Sequence, residues 1–137
     1  MDIKHLLKSI NVEFINKGAA YIKDDDVEKV VHSARDIKYK VINSDMLQRF
    51  YEDVKMLIAM IRDYWNGVYC KIPWWVIAAV VFALLYVLNP FDLIPDILPV
   101  LGLADDAAVL AICLAMTKKD ILEYQNWKDS SRQIEEV

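Results

Sequence analysis

The sequence predicts an all-α protein, and three observations predict it. Apolar residues recur at three- and four-residue spacing through the first 65 positions. A run of 17 uncharged residues, positions 72–88, has the length of a helix rather than a strand. Acidic or Asn/Ser/Asp clusters stand where those stretches begin, where side-chain oxygens satisfy free amides. At 137 residues the chain suffices for one domain, not two of ordinary size. A hydrophobic content of 56% excludes disorder of the chain as a whole. With 16 basic against 20 acidic residues and a net charge of −4, it does not bind nucleic acid by bulk charge.

Residues 1–49 read as amphipathic helices. Ile3, Leu6, Leu7, Ile10 and Phe14 share one face of the first, and Gly18 is a candidate stop. The alternation of charged and apolar residues over positions 1–17 is not that of a secretory leader. A second helix starts at Asp24-Asp25-Asp26 and carries Val27, Val30, Val31, Ala34, Ile37 and Val41. A third starts at Asn43-Ser44-Asp45 and carries Leu47, Phe50, Val54, Leu57, Ile58, Ile61 and Trp65. Acidic residues mix into the polar faces, which favours helices packed on each other over helices lying on a membrane. The three aspartates lack the glycine and distal glutamate of a calcium-binding EF-hand loop. His5 and His32 stand alone, without a partner motif for catalysis or metal binding.

Charge divides the chain in three. Residues 1–71 net +1, residues 72–117 hold four aspartates and no basic residue, and residues 118–137 net −1. The run IPWWVIAAVVFALLYVL would span about 25 Å as a helix, near the lower limit for crossing a bilayer. Trp74, Trp75 and Tyr86 near its ends match the interfacial preference of aromatic rings. Three prolines and a glycine in the next fourteen residues forbid a continuous helix, and Asp105-Asp106 then opens a second apolar run over 107–116. The expectation is an apolar helical hairpin, spanning or re-entrant, closed by a Pro/Asp-rich turn. Lys71 on one flank and Lys118 and Lys119 on the other place both termini in the cytoplasm. Thr117-Lys118-Lys119-Asp120 reads as a capping box for a short final helix with Ile121, Leu122, Tyr124 and Trp127. Residues 50–127 thus form the hairpin unit, and 128–137 a frayed tail.

Asp92, Asp96, Asp105 and Asp106 are the candidate functional residues, with no cation near them in the sequence. An intramembrane carboxylate is costly and persists when it is solvated, caps a helix, or is paired or coordinated. Asp92 and Asp96 share a helix face if that piece is helical, and Asp105 and Asp106 lie across the Pro99–Gly102 turn. Oxygens converging there would suit Mg²⁺ or Ca²⁺, or would share a proton. Helix capping and solvation are the structural alternative. Cys70 and Cys113, 43 positions apart with no metal-ligand spacing, read as reduced thiols.

Residues 86–106, YVLNPFDLIPDILPVLGLADD, closely resemble the signature of the YkvA-like proteins. Tyr86, Pro90, Asp92, Ile94, Pro95, Asp96, Pro99, Gly102, Asp105 and Asp106 all fall on its pattern. The Pro73-Trp74-Trp75 lead-in is similar too, and the resemblance covers roughly residues 50–125. It implies a domain of unknown function assigned to membranes, with no established reaction or catalytic residues. The expectation is a small membrane-associated accessory or scaffold protein, not an enzyme, in contact with lipid and with a homo-oligomer or protein partner, whose aspartates hold a divalent cation. The alternative is a soluble helical interaction domain, a dimer among the options, with the hairpin as its core. A remote third is an aspartate-dependent membrane hydrolase. Leu101-Gly102-Leu103-Ala104-Asp105 resembles the Gly-x-Gly-Asp motif of intramembrane aspartyl proteases, but its second glycine is absent.

Overall fold

The computed structural model describes residues 12–89 and 105–136, with side chains to residue 131, and every regular element among them is helical. Helical backbone over residues 12–19 (α1) leads to α2, Asp24–His32, and α3, Ala34–Ile42. A 3₁₀ turn, Gln48–Phe50, opens α4, Tyr51–Trp65; α5 is Trp74–Leu88 and α6 is Asp106–Glu136.

The expected start of the second helix is real: Asp26 Oδ2 accepts the Lys23 amide at 2.9 Å. Its apolar stripe, however, spans two helices. Ser33, at φ −100° and ψ 10°, bends the chain between α2 and α3. Each half keeps its buried residues, Val27 and Val30, then Ala34, Ile37 and Val41, against α4 and α5. The helix expected from Asn43-Ser44-Asp45 starts later: Ser44 Oγ accepts the Leu47 amide at 3.3 Å in a turn, the 3₁₀ turn follows, and α4 begins only at Tyr51. α4 buries Val54, Leu57, Ile58, Met60 and Ile61.

The transmembrane expectation for the apolar run is corrected. α5 starts one residue after Pro73, whose carbonyl accepts the Val76 amide at 3.0 Å. Its 15 residues rise about 22 Å, short of a bilayer core of about 30 Å. Every side chain from Val76 through Val87 is 2% exposed or less. The cover is protein: α2, α3, α4 and α6 pack on α5, and Phe14 of α1 closes the remaining side. Among the described residues no helix is long and apolar enough to cross a membrane. The orientation drawn from the flanking lysines loses its premise with the span. Each fully buried Val, Leu, Ile or Phe contributes on the order of 1.5–3 kcal/mol, so wrapping α5 is the main stabilising event of the fold.

Gly18 is not the stop that its identity suggests. It lies inside α1 without a positive φ, and a Cβ there would collide with the ring of Phe82. The glycine lets α1 approach α5 where Phe14, Phe82 and Tyr86 form an aromatic cluster with centroids 5.5–5.9 Å apart.

The second apolar run and the expected final helix are one element. α6 is continuous over 31 residues, about 46 Å. Thr117 is fully buried and caps nothing: its hydroxyl donates backwards to the Cys113 carbonyl at 2.7 Å. The first half of α6 runs back along α5, burying Ala107, Val109, Leu110 and Cys113, and helical backbone continues to Glu136.

Candidate functional site

Among the described residues, two places gather chemistry-bearing side chains, at opposite ends of α5. The first is the corner where α5 ends and α6 begins. The last carbonyls of a helix lack internal partners, and Lys40, reaching across from α3, donates its ammonium to the Leu88 carbonyl at 3.1 Å. A cation at this position also meets the negative end of the helix dipole favourably. Asp105 caps α6: its Oδ1 accepts the Ala107 amide at 2.7 Å and its carbonyl accepts the Val109 amide at 3.0 Å. Asp106, the first residue of α6, is half-buried. Burial pushes its carboxyl above the ordinary value of 3.8; the Lys40 charge opposes that shift and the neighbouring Asp105 adds to it.

Asp106 therefore does have a cation, Lys40 of α3, whose ammonium is held on the Leu88 carbonyl 48 residues downstream. Only the folding of α3 across the end of α5 reveals it. Asp105 and Asp106 are neighbours here as expected, while Asp92 and Asp96 lie outside the described residues. Among the described residues no group of three or more His, Cys, Asp or Glu is placed to hold a metal ion.

The second place is the α4–α5 connection. The Val68 and Tyr69 amides both donate to the Asp63 carbonyl, at 2.9 and 3.1 Å, folding the chain back at the end of α4. Gly67 makes this turn with φ 74°, a conformation cheap only for glycine. The Tyr69 ring packs on Tyr124 at 5.2 Å and on Trp127 at 4.8 Å, so α6 reaches this end of the molecule. The Tyr124 hydroxyl donates to Asp63 Oδ2 at 2.5 Å and accepts from Lys128 at 3.3 Å. Asp105 and Asp106, the described acids of sequence interest, lie at the opposite corner, and spacing alone did not single out this cluster.

Neither thiol joins these sites. Cys113 is fully buried, its sulfur donates to the Ala79 carbonyl at 3.7 Å, and burial pushes its thiol up to about 12. Cys70 is exposed.

The family described as "Protein of unknown function (DUF1232)" matches residues 76–112, which take in most of α5, the connection and the first turns of α6. A Bacillus subtilis (strain 168) protein described as "Uncharacterized membrane protein YkvA" is 34% identical over 77 residues, covering 56% of this chain and 73% of the relative. The chain belongs to the YkvA-like DUF1232 family. No solved structure matches it. The DUF1232 match takes in most of the enclosed helix and Asp105 and Asp106, the central part of the core but not the helices that wrap it. Trp65, Trp74, Trp75 and Trp127 all fall outside it.

Proposed function

We propose that this YkvA-like chain is a membrane-associated accessory or scaffold protein, not an enzyme, that meets the membrane with its surface while α5 stays inside the protein. The observation that carries the reading is the fate of the DUF1232-matched residues that are described. α5 is enclosed, Asp105 is spent on a helix cap, Asp106 lies in the field of the Lys40 charge, and Cys113 is held as a neutral thiol. These roles support a structural part for the described residues of the match. The relative's description as a membrane protein supports the location. Fractionation of cells expressing the full chain tests the reading. Pelleting with membranes and release by alkaline carbonate is the expected result. Retention through carbonate would mean insertion, and recovery in the supernatant throughout would mean no membrane role; either result overturns the reading.

A second reading, a helical interaction domain independent of membranes, has one observation in its favour: α5 is covered by the chain's own helices. The supernatant result above, with a dimer in light scattering, would select it. A divalent cation at Asp92, Asp96, Asp105 and Asp106 belongs to the first reading as its finer form. Thermal stabilisation by Mg²⁺ or Ca²⁺ that Asp106→Asn removes supports the ion; no shift in the wild type removes it.

A further inference from the structure

We infer that the end of the bundle where α4 meets α5 is a docking surface for the headgroup boundary of an anionic lipid bilayer. The inference rests on the membrane reading above and assigns the part of the surface that makes contact.

All four tryptophans of the chain gather at this end. Trp65 is the last residue of α4, Trp74 and Trp75 are the first of α5, and Trp127 packs on Tyr69 of the connection between them. Trp65, Val68, Trp74 and Trp75 are 40%, 58%, 40% and 49% exposed. Large aromatic side chains bury most of their area in a folded chain, and a grouped exposed set marks an interaction surface. Tryptophan, with an apolar body and one N–H donor, is the side chain most at home where lipid meets water.

Charge selects the kind of surface. The connection itself, positions 66–73, carries one charge, the exposed Lys71; acids also stand at this end, Asp63 bonded to the Tyr124 hydroxyl and Asp120 and Glu123 of α6, whose charges act on Tyr69. Anionic headgroups attract such a juxtamembrane cation. A protein partner with an acidic apolar groove would show similar chemistry, and the experiment separates it from lipid. The connection is also held in place beforehand, by the paired amides on the Asp63 carbonyl and by the Tyr69 ring packing, so docking orders little new chain.

The test uses the full chain and vesicles of phosphatidylglycerol mixed with phosphatidylcholine, read by flotation and by tryptophan emission. Wild type is expected to float with the vesicles and shift its emission to the blue. Trp74→Ser/Trp75→Ser lowers the partition coefficient about tenfold or more. Lys71→Glu, a change at an exposed position, lowers it several-fold, and Tyr39→Ser on α3 leaves it unchanged. Should the tryptophan pair disturb folding by circular dichroism, Lys71→Glu decides. Equal binding by wild type and Lys71→Glu overturns the inference. If wild type pellets with cell membranes yet ignores lipid vesicles, the inference falls in favour of a protein partner and the membrane reading survives. If wild type does neither, both fall.

Discussion

Replacing Gly18 by alanine sets two effects of opposite sign against each other. Within a helix, alanine is favoured over glycine by roughly 0.5–1 kcal/mol, so propensity alone predicts a more stable protein. The structure predicts the reverse. The added methyl would fall against Cδ2, Cε2 and Cζ of Phe82, closer than real atoms approach. Phe82 is 2% exposed, with Phe14 at 5.6 Å and Tyr86 at 5.9 Å, so its ring has nowhere to go without moving α1 away from α5. Overpacking of this kind costs about 1–3 kcal/mol. Set against the propensity gain, the net loss lies between about 0 and 2.5 kcal/mol, and each 1 kcal/mol lowers the midpoint by roughly 3–5 °C. Urea denaturation of Gly18→Ala, Phe82→Leu and the double variant measures the coupling. Leucine vacates the space, so alanine at position 18 should be neutral or stabilising in that background, with a coupling of at least about 1 kcal/mol. If Gly18→Ala stabilises the wild type, or costs the same in both backgrounds, the close-approach account of this glycine is wrong.

Asp106 stands above its free value of 3.8 in the folded chain. The folded state therefore binds its proton more readily than the unfolded one, and this group adds stability as pH falls through the raised value towards 3.8. Asp106→Asn should remove that pH dependence, and denaturant melts across the acid range would show an unchanged slope if the assignment is mistaken. Lys40→Met takes away the Leu88 cap and the charge that opposes the shift. It should cost about 1 kcal/mol and raise Asp106 further in a carboxyl NMR titration; a fall would contradict the geometry. Tyr124→Phe deletes the hydroxyl bond to Asp63 and should lose about 1–2 kcal/mol in urea, whereas an unchanged midpoint would leave that bond without consequence. Ellman's reagent should titrate Cys70 alone in the native protein and reach Cys113 on unfolding; two fast native thiols would contradict the burial of Cys113.

Periodicity located the helices well wherever a stripe was one-sided, as in Val27–Val30 of α2 and Leu57–Ile58–Ile61 of α4. It misjudged α5 because an all-round apolar helix carries no sign of what surrounds it; lipid and a ring of protein helices ask for the same residues. The cover comes from helices whose stripes had already been read, yet one-dimensional spacing does not show that five of them converge on one partner. Thr117 misled for a related reason. A threonine followed three residues later by aspartate has the pattern of a cap, but burial turns its hydroxyl back onto the preceding turn. Ser33 offered no glycine or proline to announce its bend. In the acid corner Asp105 was legible as a cap, and Lys40 was not, because its partner lies 48 residues away.

The enclosure of α5 sets a schedule for biosynthesis. Once Leu88 has left the ribosome, α1 to α4 are already available to shield one side of the helix, but the strip that α6 covers must wait for later residues. At about 5–20 residues per second, Thr117 follows Leu88 by roughly 1–6 s. During that interval a nascent chain presents a bare aliphatic ridge to chaperones, to neighbouring polysomes and to any nearby bilayer. Stalling translation between these two positions should therefore yield the most aggregation-prone form of this protein.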